Sequence, residues 1–309
     1  MSAGRSESSA TKDGTVTLAA FEEHRALLFS VAYRMLGSVA EAEDVLQETF
    51  IRWQRARSSG EEIRSPKAFL VTVASRLCIN HLESARSRRE EYVGEWLPEP
   101  LVTQEEGTGR RIEVDESVSM ALLLMLERLT PSERAVFLLH EVFDYRHAEI
   151  AEALGVTEAS CRQLLRRARR HVRLSRPRFR APATEHSELL ERFARAAGNG
   201  DMDQLVSLLS GSVVMHTDGG GNASALRLPI HGPERVAQAS VHGLRRLLAL
   251  GVRQRVVQIN GRAGIVSYVD GRPQSVFTIE EKDGRIEAIY VVTNPEKLGH
   301  LPAIADLPN

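Results

Sequence analysis

Residues 146–180, RHAEIAEALGVTEASCRQLLRRARRHVRLSRPRFR, hold a short apolar segment that stops at a glycine, a turn, and a second apolar segment of strict period. Ile150, Ala151 and Leu154 precede Gly155, and Thr157 then stands where a helix N-cap is wanted. Beyond it Cys161, Leu164, Leu165, Ala168 and Val172 recur at spacings of three and four. At roughly 100° per residue, Ala159, Arg162, Gln163, Arg166 and Arg170 fall on the opposite face. The spacing predicts a helix, a tight turn and a second helix that buries one face and exposes a cationic one. Between Glu158 and Glu185 no acidic residue occurs, yet Arg162, Arg166, Arg167, Arg169, Arg170, Arg173, Arg176, Arg178 and Arg180 all fall there. Solvated faces usually mix the two signs. Guanidinium groups bond phosphates and guanine edges bidentately, and the second helix of such a pair enters the major groove by its first residues. DNA binding therefore accounts for more of this stretch than the alternative of a merely basic surface helix.

The signal is local. Forty basic residues stand against 41 acidic ones over 309 residues, a formal charge of -1, so no global attraction to nucleic acid exists. The length suits about two ordinary domains or three small ones, and 42% hydrophobic residues suffice for packed cores. No apolar run approaches a membrane span, and the polar start MSAGRSESSATKDGT is unlike a secretory signal. The expectation is a cytoplasmic protein with no membrane association and a disordered start over residues 1–17. Cys78 and Cys161 offer neither a zinc spacing nor a disulfide framework, and read as small buried side chains.

Taken in order, residues 21–36 predict a first helix closed by Gly37. Ser38 and Glu41 form a capping box for a second, in which Ala42, Val45, Leu46, Thr49, Phe50 and Trp53 make an apolar stripe. Its other face carries Glu41, Asp44, Gln47, Glu48 and Arg52, which periodicity alone leaves as a solvated face. Ser65 and Pro66 open a third helix with Leu70, Val73, Ala74, Leu77 and Leu82 inward. Arg76, Arg86, Arg88 and Arg89 crowd toward its end, where cations also suit the helix dipole. Residues 90–116 lose all period and read as a linker, but Tyr92, Trp96 and Leu97 beside Pro98 and Pro100 need a surface to dock on. Thr130, Pro131 and Glu133 cap the helix that leads into the helix-turn-helix. Past Arg180 a helix over residues 189–209, broken at 198–201, and another over about 233–249 accompany β-branched runs. Asn260-Gly261 and Asp283-Gly284 signal hairpins, which indicates a separate α+β domain.

At this point two motifs carry a family likeness. AEDVLQETFIRW (42–53) resembles the helix by which bacterial RNA polymerase sigma factors grip the polymerase clamp. Residues 129–172 resemble the promoter-reading sigma domain that follows it in the compact extracytoplasmic-function class. Their order and separation are more specific than either alone. The remaining third is similar to a SnoaL-like domain of the NTF2-like cone fold. One subgroup of these sigma factors carries such a domain together with WLPEP, DGGG and NPEKL, which stand here as Trp96, Leu97, Pro98, Glu99, Pro100; Asp218, Gly219, Gly220, Gly221; and Asn294, Pro295, Glu296, Lys297, Leu298. Family members often have Asp where Glu296 stands, a replacement that keeps the charge.

The resemblance implies two all-α sigma domains (18–90 and 117–178) joined by a linker (91–116), then a short linker (179–186), an α+β NTF2-like cone domain (187–302) and a tail (303–309). It implies that Asp44, Gln47 and Glu48 face core RNA polymerase. Arg76, Arg86, Arg88 and Arg89 would serve the downstream promoter element, where unpaired bases are held. Ala159, Ser160, Arg162, Gln163, Arg166, Arg167 and Arg170 would read the upstream promoter DNA. The three short motifs would meet at one surface, with Trp96 and Leu97 docked near the Asp218 loop and the tail motif, and the last domain would modulate the sigma core in place of a separate anti-sigma protein. No cofactor or metal is expected; a small ligand in the cone stays open. So do two rivals, a helix-turn-helix regulator that does not act through core polymerase and a DNA-binding module fused to a SnoaL-like enzyme. For the latter His216, Asp218 and His231 are the residues that form an acid-base set around a pocket.

Overall fold

The computed structural model describes residues 6–90, 92–103, 118–173, 182–221 and 228–304, and within them the side chains of residues 6–16, 85–90 and 173 are left aside. The chain divides into two compact units, Met1–Arg86 with Leu126–Leu174, and Ser87–Met125 with Ser175–Asn309.

The first unit is helical. α1 spans Ser6–Leu36. From residue 17 onward it is held by tertiary contact: the Trp53 indole donates to the Thr17 carbonyl at 2.9 Å, and Phe21 and Phe50 pack ring to ring with centroids 4.9 Å apart. α2 (Val39–Ser58) is capped by Ser38, whose hydroxyl accepts from the Glu41 amide, and it buries Ala42, Val45, Leu46, Thr49, Trp53 and Ala56. α3 (Pro66–Glu90) buries Leu70, Ala74 and Leu82, while Val73 and Leu77 are half-buried. α4 (Met120–Leu126) belongs, but for its last residue, to the second unit, and α5 (Pro131–Glu141) has both bonds of the capping box between Thr130 and Glu133. α6 (His147–Leu154) ends on Gly155 at φ 69°, a left-handed cap that favours glycine, and α7 (Glu158–Arg173) completes the helix-turn-helix.

An arginine that periodicity did not single out ties this unit together. Arg134, buried on α5, donates to the Met35 carbonyl at the end of α1 and to Glu127 Oε1 at 2.8 Å. Orphan carbonyls at a helix end and a guanidinium satisfy each other there.

The second unit is a six-stranded mixed sheet in the order β2-β1-β6-β5-β4-β3, with helices on one face. α8 (Ala183–Asn199) and α9 (Met202–Leu208) are separated by Gly200 (φ 69°) and the N-cap Asp201, which accounts for the break expected at 198–201. β1 (Leu209–Asp218) pairs antiparallel with β2 (Ile230–His231) and parallel with β6 (Arg285–Val292). After α10 (Pro233–Ala249), β3 (Arg253–Ile259), β4 (Arg262–Val269), β5 (Arg272–Lys282) and β6 form an antiparallel meander. Asn260, Asp270 and Asp283 take φ of 53°, 49° and 51°, each followed by a glycine at positive φ, the turn that matches strand twist. The Asp270-Gly271 turn completes the pair of hairpins read from the sequence.

Both faces of the sheet are covered. On one, Leu190, Phe193, Val213, Met215, Val236, Ile279 and Ile289 pack with the helices. On the other, Val266, Tyr268, Val276, Tyr290 and Val292 pack with Leu97 of the linker and with Leu298, Leu301 and Ile304 of the tail. The linker is thus part of the second unit's core. Val102 forms a bridge with Ile259, the Asn260 amide donates to the Leu101 carbonyl, and the Leu101 amide donates to the Asn260 side-chain oxygen, so the segment also covers the β3 end of the sheet.

Candidate nucleic-acid interface and linker anchorage

In α7 the apolar positions Cys161, Leu165, Ala168 and Val172 are buried, while Ala159, Ser160, Arg162, Gln163, Arg166, Arg167 and Arg170 are all exposed on one side. Thr157 caps the helix, accepting from the Ser160 amide at 3.1 Å. The run of arginines is less unbalanced than the sequence indicates, because acids arrive from elsewhere in the chain. Arg162 pairs with Glu158 at 3.0 Å, Arg167 with Glu133 of α5 at 3.1 Å, and Arg169 with Glu141. Arg166 and Arg170 have no acidic partner among the described residues. They are the guanidiniums of this face left outside the ion pairs that hold Arg162, Arg167 and Arg169.

Arg76 of α3 is engaged rather than free: its Nε donates to the Ala153 carbonyl at 2.7 Å, with the Glu152 carbonyl 3.4 Å from its terminal nitrogen, at the end of α6. Arg86, Arg88 and Arg89 have side chains outside the described residues. On α2, Asp44 and Gln47 are exposed, and Glu48 is half-exposed and paired with Arg52 at 2.7 Å. Both cysteines are free and buried, and burial pushes both thiols up, so they are neutral packing groups.

The second unit gathers the three short motifs around one carboxylate. Asp218, at the end of β1, is 0% exposed. Its Oδ1 accepts from the Tyr92 hydroxyl at 2.6 Å and the Gly220 amide at 3.0 Å. Its Oδ2 accepts from the Leu97 amide at 2.8 Å and from Lys297 Nζ at 2.7 Å. The acceptor capacity of a carboxylate is thereby filled. Lys297, itself buried, also donates to the Leu97 carbonyl and lies 4.1 Å from the centre of the Trp96 ring. Asn294 caps α11 (Pro295–Leu298) with its side-chain oxygen, and its amide donates to the Tyr92 hydroxyl at 2.9 Å. Burial, then the bond to Asp218, pushes the Tyr92 phenol well up, so it stays a donor.

The glycines have a steric reason. Gly220 sits at φ 61°, and a Cβ there would lie 2.5 Å from the Asn294 side chain. Gly219 is buried; Gly221, at φ 85°, is exposed. Pro98, Glu99 and Pro100 are buried, with the Pro100 carbonyl 2.8 Å from His300 Nε2, whereas Pro295 and Glu296 are exposed. Two participants were not singled out as site residues: Tyr92, and Glu95, whose carboxylate meets His216 Nδ1 at 2.7 Å. An aromatic and an acid in an unperiodic segment were the available signals.

His216, Asp218 and His231 do not form an acid-base set around a pocket. Along β1, Met215 and Thr217 line the cavity on the helix side of the sheet, and His216 and Asp218 alternate to the other face, where the ring of His216 stacks on Tyr290. His231 is exposed on β2 and pairs with Val214, of the same parity as His216.

A helix-turn-helix core with an arginine-rich recognition face, preceded by a capped acidic helix and followed by a mixed sheet that holds its linker, defines a multidomain DNA-binding protein. Residues 20–88 match Sigma-70 region 2 and residues 119–172 match Sigma-70 region 4. Over 297 residues the chain is 36% identical to the ECF RNA polymerase sigma factor SigJ of Mycobacterium tuberculosis, covering 91% of this chain and 93% of that one. It is 33% identical over 287 residues to the probable ECF RNA polymerase sigma factor SigI of the same organism, covering 92% and 96%. The crystal structure of M. tuberculosis SigJ superposes with a TM-score of 0.73 at 34% identity, over 91% of this chain and 98% of that one. The chain therefore belongs to the extracytoplasmic-function RNA polymerase sigma factors, with an additional C-terminal domain of mixed sheet and helices. Membership implies binding to core RNA polymerase and promoter-specific initiation of transcription. Among the described residues, no helix is long and apolar enough to cross a membrane.

Proposed function

We propose that the C-terminal domain, read as a SnoaL-like member of the NTF2-like cone fold, regulates this sigma factor by holding the linker between its two promoter-binding regions. The observation that carries this reading is the buried Asp218 carboxylate, which binds the linker at Tyr92 and Leu97 and the tail motif at Lys297. The linker joins region 2 to region 4, so pinning its first part limits how far those regions can part on DNA. A covalent tether makes that restraint intramolecular, and no separate anti-sigma protein is required.

In this reading Asp44, Gln47 and Glu48 face the polymerase, supported by their lying opposite the buried stripe of α2. The α7 face from Ala159 to Arg167 reads the upstream element with Arg170 adding DNA contact beyond it, and α3, with Arg76, Arg86, Arg88 and Arg89, serves the downstream one. The domains fall near 18–90, 117–178 and 187–302, and the protein acts in the cytoplasm, where its polymerase is. The test is run-off transcription with core polymerase on genomic promoter fragments, comparing wild type with Trp96→Ala. Removing the ring that covers Lys297 changes promoter-dependent output at equal polymerase affinity if the reading holds. Identical transcription from both proteins, both shown to be folded, refutes it.

A further inference from the structure

The face of the sheet that the linker does not cover changes character along its strands. Cross-strand pairing aligns Met215, Ile289 and Ile279 in one row, and these are buried in the core beneath the helices. The next row is Thr217, Val291, Phe277 and Ile265. Two residues further along, Ser275 pairs with Ser267 and Ser267 with Gln254, whose amide donates to the Ser267 hydroxyl at 3.1 Å. Both serines are buried. A cavity of about 1400 Å³ opens over these outer rows, with α8 and α10 as its other walls.

Where the sheet floor meets the α8 wall the lining is aromatic: Phe193 and Phe277 stack with centroids 5.6 Å apart. Against that aromatic pair a sugar or other polyol would lose hydrogen bonds to water. Hydroxyl and amide groups line the cavity along the Ser275, Ser267 and Gln254 row and from Thr217, Gln238 and Ser240. Charge narrows the class further, because α10 contributes Arg235, Arg245 and Arg246 to the lining and, among the described residues, no aspartate or glutamate lines the cavity. Guanidiniums without a facing carboxylate favour an anion, and an apolar pocket with a few convergent polar groups is the usual form of a small-molecule site.

We propose that this cavity binds a small amphipathic carboxylate, its apolar body against Phe193 and Phe277 and its anionic end toward the arginines of α10. The inference is independent of the regulatory reading, since binding is measured whether or not the linker responds.

Isothermal titration of the full-length protein with decanoate, kept below its micelle concentration, tests it against 1-decanol and decyltrimethylammonium. Saturable one-site binding of decanoate is expected, at least about tenfold tighter than the alcohol, with no binding of the cation. Arg235→Gln and the pair Arg245→Gln with Arg246→Gln lie on exposed positions and preserve the fold, which a melting curve checks. At least one of them weakens decanoate by about tenfold or more while leaving the alcohol unchanged. No saturable binding, equal binding of alcohol and acid, or decanoate affinity unmoved by every arginine replacement overturns the proposal.

Discussion

Replacing Asp218 with Asn isolates the charge that holds the linker. The amide is isosteric, and in one orientation its oxygen still accepts from Tyr92 and Gly220. Its NH2 then faces two donors, the Leu97 amide and Lys297 Nζ, which lie 2.8 and 2.7 Å from the present oxygen. Flipping the amide only moves the conflict to Tyr92 and Gly220. Lys297 is left a buried cation without its carboxylate, keeping the Leu97 carbonyl and the Trp96 ring, since Asp218 is 0% and the Lys297 side chain 8% exposed. Removing one member of a buried ion pair costs about 3–5 kcal/mol. At 1.4 kcal/mol per decade, the fraction of time the linker spends undocked rises by roughly a hundredfold to a few thousandfold. Amide hydrogen exchange reads this directly, because the Leu97 N–H donates to the very atom replaced. The peptide over residues 92–103 should lose protection by that factor, and the paired strands β5 and β6 should keep theirs. Adding Lys297→Met removes the stranded charge, so the double variant should be less perturbed than the sum of the singles. Unchanged exchange at the linker in Asp218→Asn, or strictly additive penalties, would show that the carboxylate does not anchor it.

Reversing Asp44 and Glu48 to Lys should abolish binding to core polymerase in a pull-down while the melting temperature stays near wild type, because neither side chain belongs to the buried stripe. Arg166→Ala should cost on the order of 1–3 kcal/mol of discrimination between promoter and mismatched DNA, whereas Arg170→Ala, a turn further from the helix start, weakens both DNAs alike; equal and sequence-independent losses would mean that α7 does not read bases. Glu281 is predicted to set part of the acid stability of the C-terminal domain. Its burial alone would raise its pKa, but bonds from His186 and Arg262 hold it below the usual value. A carboxyl lower in the folded than in the unfolded state, near about 4.3 there, stabilises above that pH and loses the contribution as pH falls through the folded value. Glu281→Gln should therefore lower the melting temperature at neutral pH and flatten its decline in acid, and an acid limb identical to wild type would refute the assignment.

What could be read from the sequence was what local rules govern. The N-caps Ser38, Thr130 and Thr157, the stops at Gly155 and Gly200 and the turns at Asn260 and Asp283 each follow from one or two adjacent residues, and all are present. The apolar stripes of α2 and α7 follow from period alone. Less could be read where partners are distant in the chain. The acid-free stretch around α7 gave no hint that Glu133 and Glu141 would reach Arg167 and Arg169, because counting charges in a window ignores the neighbouring helix. Tyr92 and Asp218 lie 126 positions apart, and no periodicity connects them.

The anchorage combines two kinds of interaction with different roles. Leu97 enters the apolar cluster on the outer face of the sheet and is 0% exposed, and full burial of such a side chain is worth about 1.5–3 kcal/mol. That term is indifferent to register: a linker displaced along the chain could offer Leu101 in its place. The Asp218–Lys297 pair is not indifferent. A buried ion pair adds little net stability over an apolar substitute, since desolvation offsets most of its attraction. It does demand that every hydrogen-bond partner arrive together: the Leu97 amide and the Tyr92 hydroxyl donate to Asp218 while the Leu97 carbonyl accepts from Lys297. A slip of one residue would strand a buried carboxylate and a buried ammonium. The apolar contact therefore supplies attraction, the charged pair sets which residue is held, and the length of chain left between the anchor and the two promoter-binding regions is fixed by that choice.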